Sequence, residues 1–168
     1  MQTVATFEKI SFDQFVRDYS KLCEDERFDI DAHLADIYRD IKLPVRQTNG
    51  SAGYDFFSPI KVRVSGTPIT IPTGIRAKIE PGWFLGLFPR SGLGFKYGMR
   101  LENSTGIVDA DYFYADNEGH IMARISSSRP FELEDGDRFI QGVLMPYGIS
   151  TNGNGTDERT GGMGSTGR

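Results

Sequence analysis

Two hydrophobic periodicities divide the chain. Near the N-terminus apolar side chains recur every three or four positions: Phe12, Phe15, Val16, Tyr19 and Leu22, then Leu34, Ile37, Tyr38 and Ile41. That spacing lines one face of a helix. Ser11 followed by Gln14 predicts a capping box at the first helix start, and Pro44 stops the second helix. From Leu43 onward the apolar positions alternate instead. Ile69 and Ile71 flank a threonine, and Ile75, Ala77 and Ile79 alternate with Arg76 and Lys78, as half-buried strands require. Residues 83–88 (WFLGLF) form a nearly continuous apolar run, the pattern of a strand buried on both faces. Residues 121–125 and 139–145 read as further strands. Ser65-Gly66, Pro72, Pro81-Gly82 and Asp135-Gly136 punctuate them at short intervals. Many short strands with regular turns predict an all-β barrel or jelly roll, with a helical extension ahead of it. The expected division is an extension over residues 1–42, a β core over 43–150, and a flexible glycine-rich tail over 151–168.

Composition narrows the picture. A chain of 168 residues, 38% hydrophobic and 25% charged, suits one globular domain. No apolar run reaches bilayer-spanning length, and the N-terminus lacks the basic start and apolar stretch of a secretory signal. The acidic turn Glu24-Asp25-Glu26 between the helical patterns also argues against a membrane-surface role. Cys23 is alone and closes no internal disulfide, which makes a reducing cytoplasm the expected setting. The net charge of −4 argues against a broad nucleic-acid surface. One anionic ligand remains compatible, because Arg90, Arg138, Arg159 and Arg168 cluster in or beside the motifs.

The candidate chemistry sits in short segments far apart in sequence. Arg90-Ser91-Gly92 offers a guanidinium, a hydroxyl and a backbone open to close approach, all suited to phosphate. Taken alone it is an ordinary strand exit with a surface arginine. Asp109-Ala110-Asp111-Tyr112 offers carboxylates beside an aromatic ring, and a positioned carboxylate can take a proton from an attacking water. Its bland counterpart is an acidic turn after an apolar strand. Gly53-Tyr54-Asp55 reads equally as a strand start. His120 reads as a strand-entry residue, because no second histidine or cysteine near it completes a metal spacing.

Together, SAGYD (51–55), PRSGLG (89–94), GIVDADY (106–112), DRFIQG (137–142) and GGMGSTG (161–167) fall in the order of the five motifs of the trimeric dUTP diphosphatases. The resemblance runs from about Leu43 to the last residue. It implies the jelly-roll-like barrel of that family, assembled as a homotrimer, and hydrolysis of dUTP to dUMP and pyrophosphate with Mg²⁺. Such an activity keeps uracil out of DNA and supplies dUMP for thymidylate synthesis. The resemblance assigns Asp109 to activating water for attack at the α-phosphorus. It assigns Arg90, Ser91 and Gly92 to the phosphate chain, and Gln141 to a place beside it. Asn103 would meet the uracil edge, with Gly106 and Ile107 in a rigid hairpin whose backbone completes a pairing mimic. Tyr112 would stack on the deoxyribose. Mg²⁺ would be held through the phosphates, with no direct protein ligand and Asp55 reaching it through water. Arg159 would contact the γ-phosphate, and Met163, Gly164 and Ser165 belong to a lid closing over the nucleotide. The family usually has Phe where this chain has Met163, so part of the base stacking, worth ~1–3 kcal/mol, should be lost. After Tyr112 the segment FYADNEG lengthens the loop relative to the commonest pattern.

Two rival readings share the fold. A dCTP deaminase would act at C4 of the base and produce a different product. A non-catalytic module would use dUTP to control a protein partner. Asp109, Arg90 and Ser91 favour the diphosphatase.

Overall fold

The computed structural model describes residues 2–22 and 34–153. In chain order the elements are β1 (Ala5–Lys9), α1 (Phe12–Ser20), α2 (Leu34–Asp40), β2 (Gly53–Phe57), β3 (Val62–Val64), β4 (Ile69–Pro72), β5 (Ile75–Ile79) and β6 (Trp83–Pro89). They continue with α3 (Ser91–Tyr97), β7 (Arg100–Leu101), β8 (Gly106–Val108), a 3₁₀ turn (Ala110–Tyr114), β9 (Met122–Ser126), β10 (Phe131–Leu133) and β11 (Arg138–Pro146). Among the described residues all strand pairings are antiparallel. These strands form four small sheets, ordered β1-β5, β10-β3, β2-β11-β6-β8 and β4-β9-β7. This is the jelly-roll-like, mainly β architecture that the alternating pattern predicts.

Alternation decides which side chains face inward. In β5, Ile75, Ala77 and Ile79 are buried while Lys78 is exposed; β3 and β10 each bury both ends and expose the middle. The run at 83–88 becomes β6, paired with β11 on one side and β8 on the other. Only its middle, Leu85 to Leu87, is fully buried, and its ends are half-buried. Ile69, Ile71, Leu85, Leu87, Ile125, Phe139 and Ile140 share one core with Phe56.

The extension is neither wholly helical nor separate from that core. Its opening residues form β1, which pairs along β5 from Ala5 opposite Ile79 to Lys9 opposite Ile75. A five-residue strand shows too few alternations to be read from sequence, and its partner edge lies about seventy positions away. Phe15, Tyr19 and Ile41 are buried in the same apolar cluster as the barrel strands. Tyr38 on α2 donates its hydroxyl to the Ile10 carbonyl at 2.7 Å.

The capping box exists by half. Ser11 Oγ accepts the Gln14 N–H at 3.1 Å, as expected. The Gln14 side chain does not return the bond but donates to Asp18. Glu118 takes its place, accepting from the Ser11 N–H at 2.8 Å and from Ser11 Oγ at 2.6 Å.

Candidate active site

One end of the four-stranded sheet gathers the phosphate-binding candidates. Register sets Gln141 of β11 opposite Asp55 of β2 and opposite Phe88 of β6. Arg90 follows β6 directly, held by its N–H to the Phe139 carbonyl at 3.1 Å. Asp55 is nearly buried and takes both neighbouring arginines: Arg90 Nε lies 3.2 Å from one oxygen, and Arg138 Nη1 lies 3.2 Å from the other. Two guanidiniums on one carboxylate leave a local excess of positive charge, with each fork oriented by its ion pair. The Gln141 side chain covers Gly53, where a Cβ would stand 2.7 Å from its Oε1. Helix α3 begins at Ser91, with Arg90 as an extended N-cap that supplies no side-chain cap. Ser91 and Gly92 are exposed on this first turn, as an anion-facing helix start requires.

The base-recognition candidates lie in the turn between β7 and β8. Asn103 and Ser104 are exposed, and Ser104 takes a left-handed φ of 63°. The turn is tied by Ser104 N–H to Leu101 O at 3.1 Å and by Thr105 N–H to Asn103 O at 2.7 Å. It is not a hairpin. β7 pairs with β9 while β8 pairs with β6, so the turn passes from one sheet to another. Gly106 is buried, and a Cβ there would meet Leu87 at 3.1 Å. Ile107 points outward.

Asp109 leaves β8 at the sheet's other end. It is exposed and extended, with φ −79° and ψ 161°, and stands as N-cap of the 3₁₀ turn without capping it by its side chain. The Tyr112 N–H donates to the Asp109 carbonyl at 3.2 Å, which fixes the backbone that carries the acid. Tyr112 itself is 1% exposed. Its hydroxyl donates to the His120 carbonyl at 2.8 Å and accepts from Asn117 Nδ2 at 2.8 Å. The ring face expected to meet a sugar is covered by protein, so Tyr112 braces the turn from inside.

Asp109 and Arg90 do not meet within one chain. Val108 is opposite Leu85, and Arg90, just past the end of β6, lies five residues beyond Leu85, about 17 Å at ~3.3 Å per residue. Arg159, Met163, Gly164 and Ser165 lie outside the described residues.

Sequence reasoning missed the partners of the lengthened loop. His120 is fully buried; its Nε2 accepts the Gly74 N–H at 2.9 Å, and its Nδ1 lies 2.8 Å from Asp18 Oδ2. With Nε2 accepting, Nδ1 carries the proton and donates to Asp18. Gln14 and Lys21 also donate to that carboxylate. No local signal joins Asp18 to a histidine 102 positions away.

The family model described as dUTPase matches residues 39–167. The deoxyuridine 5'-triphosphate nucleotidohydrolase of Lactococcus lactis is 37% identical over 139 residues, spanning 76% of this chain and 89% of that protein. The crystal structure of a dUTPase from Streptococcus mutans superposes with a TM-score of 0.60 at 38% identity, covering 66% of this chain and 89% of the other. A mutant dUTPase of Staphylococcus aureus phage phi11, solved for its coordination of a structural Mg(II) ion, shares the fold with a TM-score of 0.59 and 18% identity, covering 92% of this chain and 98% of that one. With its five motifs inside the matched range and four of them carried on this barrel, the chain belongs to the dUTPase family.

Proposed function

We propose that this protein is a dUTP diphosphatase that hydrolyses dUTP to dUMP and pyrophosphate at sites built between the chains of a homotrimer. The observation that carries the reading is the separation of the two halves of the chemistry. An exposed carboxylate, Asp109, stands at one end of β6, and the oriented arginine pair with Ser91 stands at the other. A site that uses both draws them from different chains. Exposed Phe95 on α3 and Ile107 beside Asp109 are apolar side chains that a neighbouring chain would cover.

In this mechanism Asp109 holds a water and takes its proton as the water attacks the α-phosphorus in line. Arg90, Ser91 and the first amides of α3 bind the charge that develops on the phosphates, already oriented before the reaction begins. Gln141 fixes the β6–β11 edge beside them. Asn103 and the Gly106–Ile107 backbone read the base, rejecting cytosine by leaving polar groups unpaired. When bound, Mg²⁺ would supply positive charge to offset that of the departing pyrophosphate. Asp55 is committed to two guanidiniums, so it would bear on such an ion only through water. The tail residues Arg159, Met163, Gly164 and Ser165 close over the nucleotide.

The test is cleavage of dUTP, dCTP, dTTP and UTP with Mg²⁺ by the wild type and by Asp109→Asn. Cleavage confined to dUTP and reduced at least about a hundredfold in the variant is expected. Release of ammonia from dCTP would instead assign a deaminase. Tight dUTP binding without turnover would assign a nucleotide-dependent binding module.

A further inference from the structure

The loop that lengthens this chain after Tyr112 is tied to the N-terminal segment at three places. Glu118, itself at a left-handed φ of 58°, accepts both the Ser11 N–H and the Ser11 hydroxyl at the start of α1. His120 at the end of the loop donates to Asp18 in the second half of α1, and both are almost fully buried. Glu8 of β1 holds Arg76 through two contacts of 2.9 and 3.2 Å, and the Arg76 guanidinium lies over the Phe113 ring at 4.3 Å. The far side of the same loop leads straight to Asp109. The His120 carbonyl receives the Tyr112 hydroxyl, and the Tyr112 N–H holds the Asp109 carbonyl.

We infer that α1 is the positioning element of the catalytic loop, and that Asp18, through His120 and Tyr112, fixes the direction in which Asp109 presents its carboxylate. The inference rests on the reading of Asp109 as the group that activates water. Stability alone is a poor reason for the arrangement. A buried polar pair gains little over apolar residues of the same volume, but it enforces one geometry where apolar packing tolerates several. Here both imidazole nitrogens are engaged, and both Asp18 oxygens accept hydrogen bonds. The ring therefore has one permitted orientation, and its backbone carbonyl has one permitted place. Each link from there to Asp109 is a hydrogen bond of 2.8 to 3.2 Å. A displacement of about 1 Å at a reacting group can cost up to about a hundredfold in rate. Asp18 and His120 are positioning residues, remote from the substrate.

The experiment compares Asp18→Ala, Asp18→Asn, Glu118→Ala and Asp109→Asn in the full-length protein. The kcat and KM for dUTP are measured per folded active site, well below each variant's melting temperature. Asp18→Ala should lower kcat roughly tenfold with KM changed less than about threefold. Asp18→Asn keeps an oxygen for the His120 proton and should restore most of that loss. Glu118→Ala, at a partly exposed tie, should lower kcat about threefold with KM unchanged. A folded Asp18→Ala protein at wild-type kcat would overturn the inference, as would equal losses in the alanine and asparagine variants. If Asp18→Ala does not fold, the kcat and KM of Glu118→Ala decide in the same way. Undiminished turnover by Asp109→Asn would remove the underlying reading, whatever the Asp18 variants do.

Discussion

Asp18 is an acid held ionised where almost no water reaches it. Burial on its own would raise its pKa; hydrogen bonds from His120, Gln14 and Lys21 outweigh that and hold the carboxyl well below the usual carboxylate range. Glu118 is shifted the same way, burial again opposing and the two Ser11 donors prevailing. A carboxyl depressed in the folded state adds stability that is fully present above its unfolded pKa, near ~3.9 for aspartate, and is lost as pH falls from there through the folded value. An asparagine in its place cannot titrate. The urea midpoint of the wild type should therefore exceed that of Asp18→Asn at pH 6 to 7, and the gap should narrow progressively below about pH 4. Parallel midpoints across that range would show that Asp18 gains nothing by being charged.

Elements are set by what packs against them. Gly142 sits mid-strand in β11, between Tyr54 of β2 and Leu87 of β6. A Cβ there would come within 2.8 Å of Leu85 and 3.0 Å of Phe56, both almost fully buried. Gly142→Ala should destabilise the protein by about 1–3 kcal/mol through overpacking, read as a lowered urea midpoint with an unchanged slope. The alternating strands were legible in the sequence because each carries its own inside and outside: Ile75, Ala77 and Ile79 state their face without reference to anything else. β1 was not, because its place depends on the free edge of β5. Ser11 shows the same limit at smaller scale. The sequence identified a helix start correctly, yet the residue completing the cap is Glu118, which no local pattern names. The burial of Tyr112 was equally hidden, since it follows from where Asn117 and His120 return after the loop.

At the scale of the whole molecule, the separation of Asp109 from Arg90 makes complementation the natural experiment. Asp109→Asn and Arg90→Ala should each be nearly inactive alone. Co-refolded in equal amounts, they should regain about a quarter of wild-type activity, because random assembly gives that share of sites two intact contributions. No recovery in co-assembled protein would place both residues in one chain's site. The individual site segments were legible in the sequence, and the resemblance implied that they come from different chains; the register of β8 on β6 that sets their distance was not legible. The ties between α1 and the 113–120 loop also order events in time. Asp18 is made before its histidine partner, which follows 102 residues later, roughly 5 to 20 s at ordinary elongation rates. Throughout that interval an amphipathic helix with Phe15 and Tyr19 on its apolar face has no barrel to dock on. A helix that precedes most of the barrel strands in the chain is thus among the last elements to reach its place.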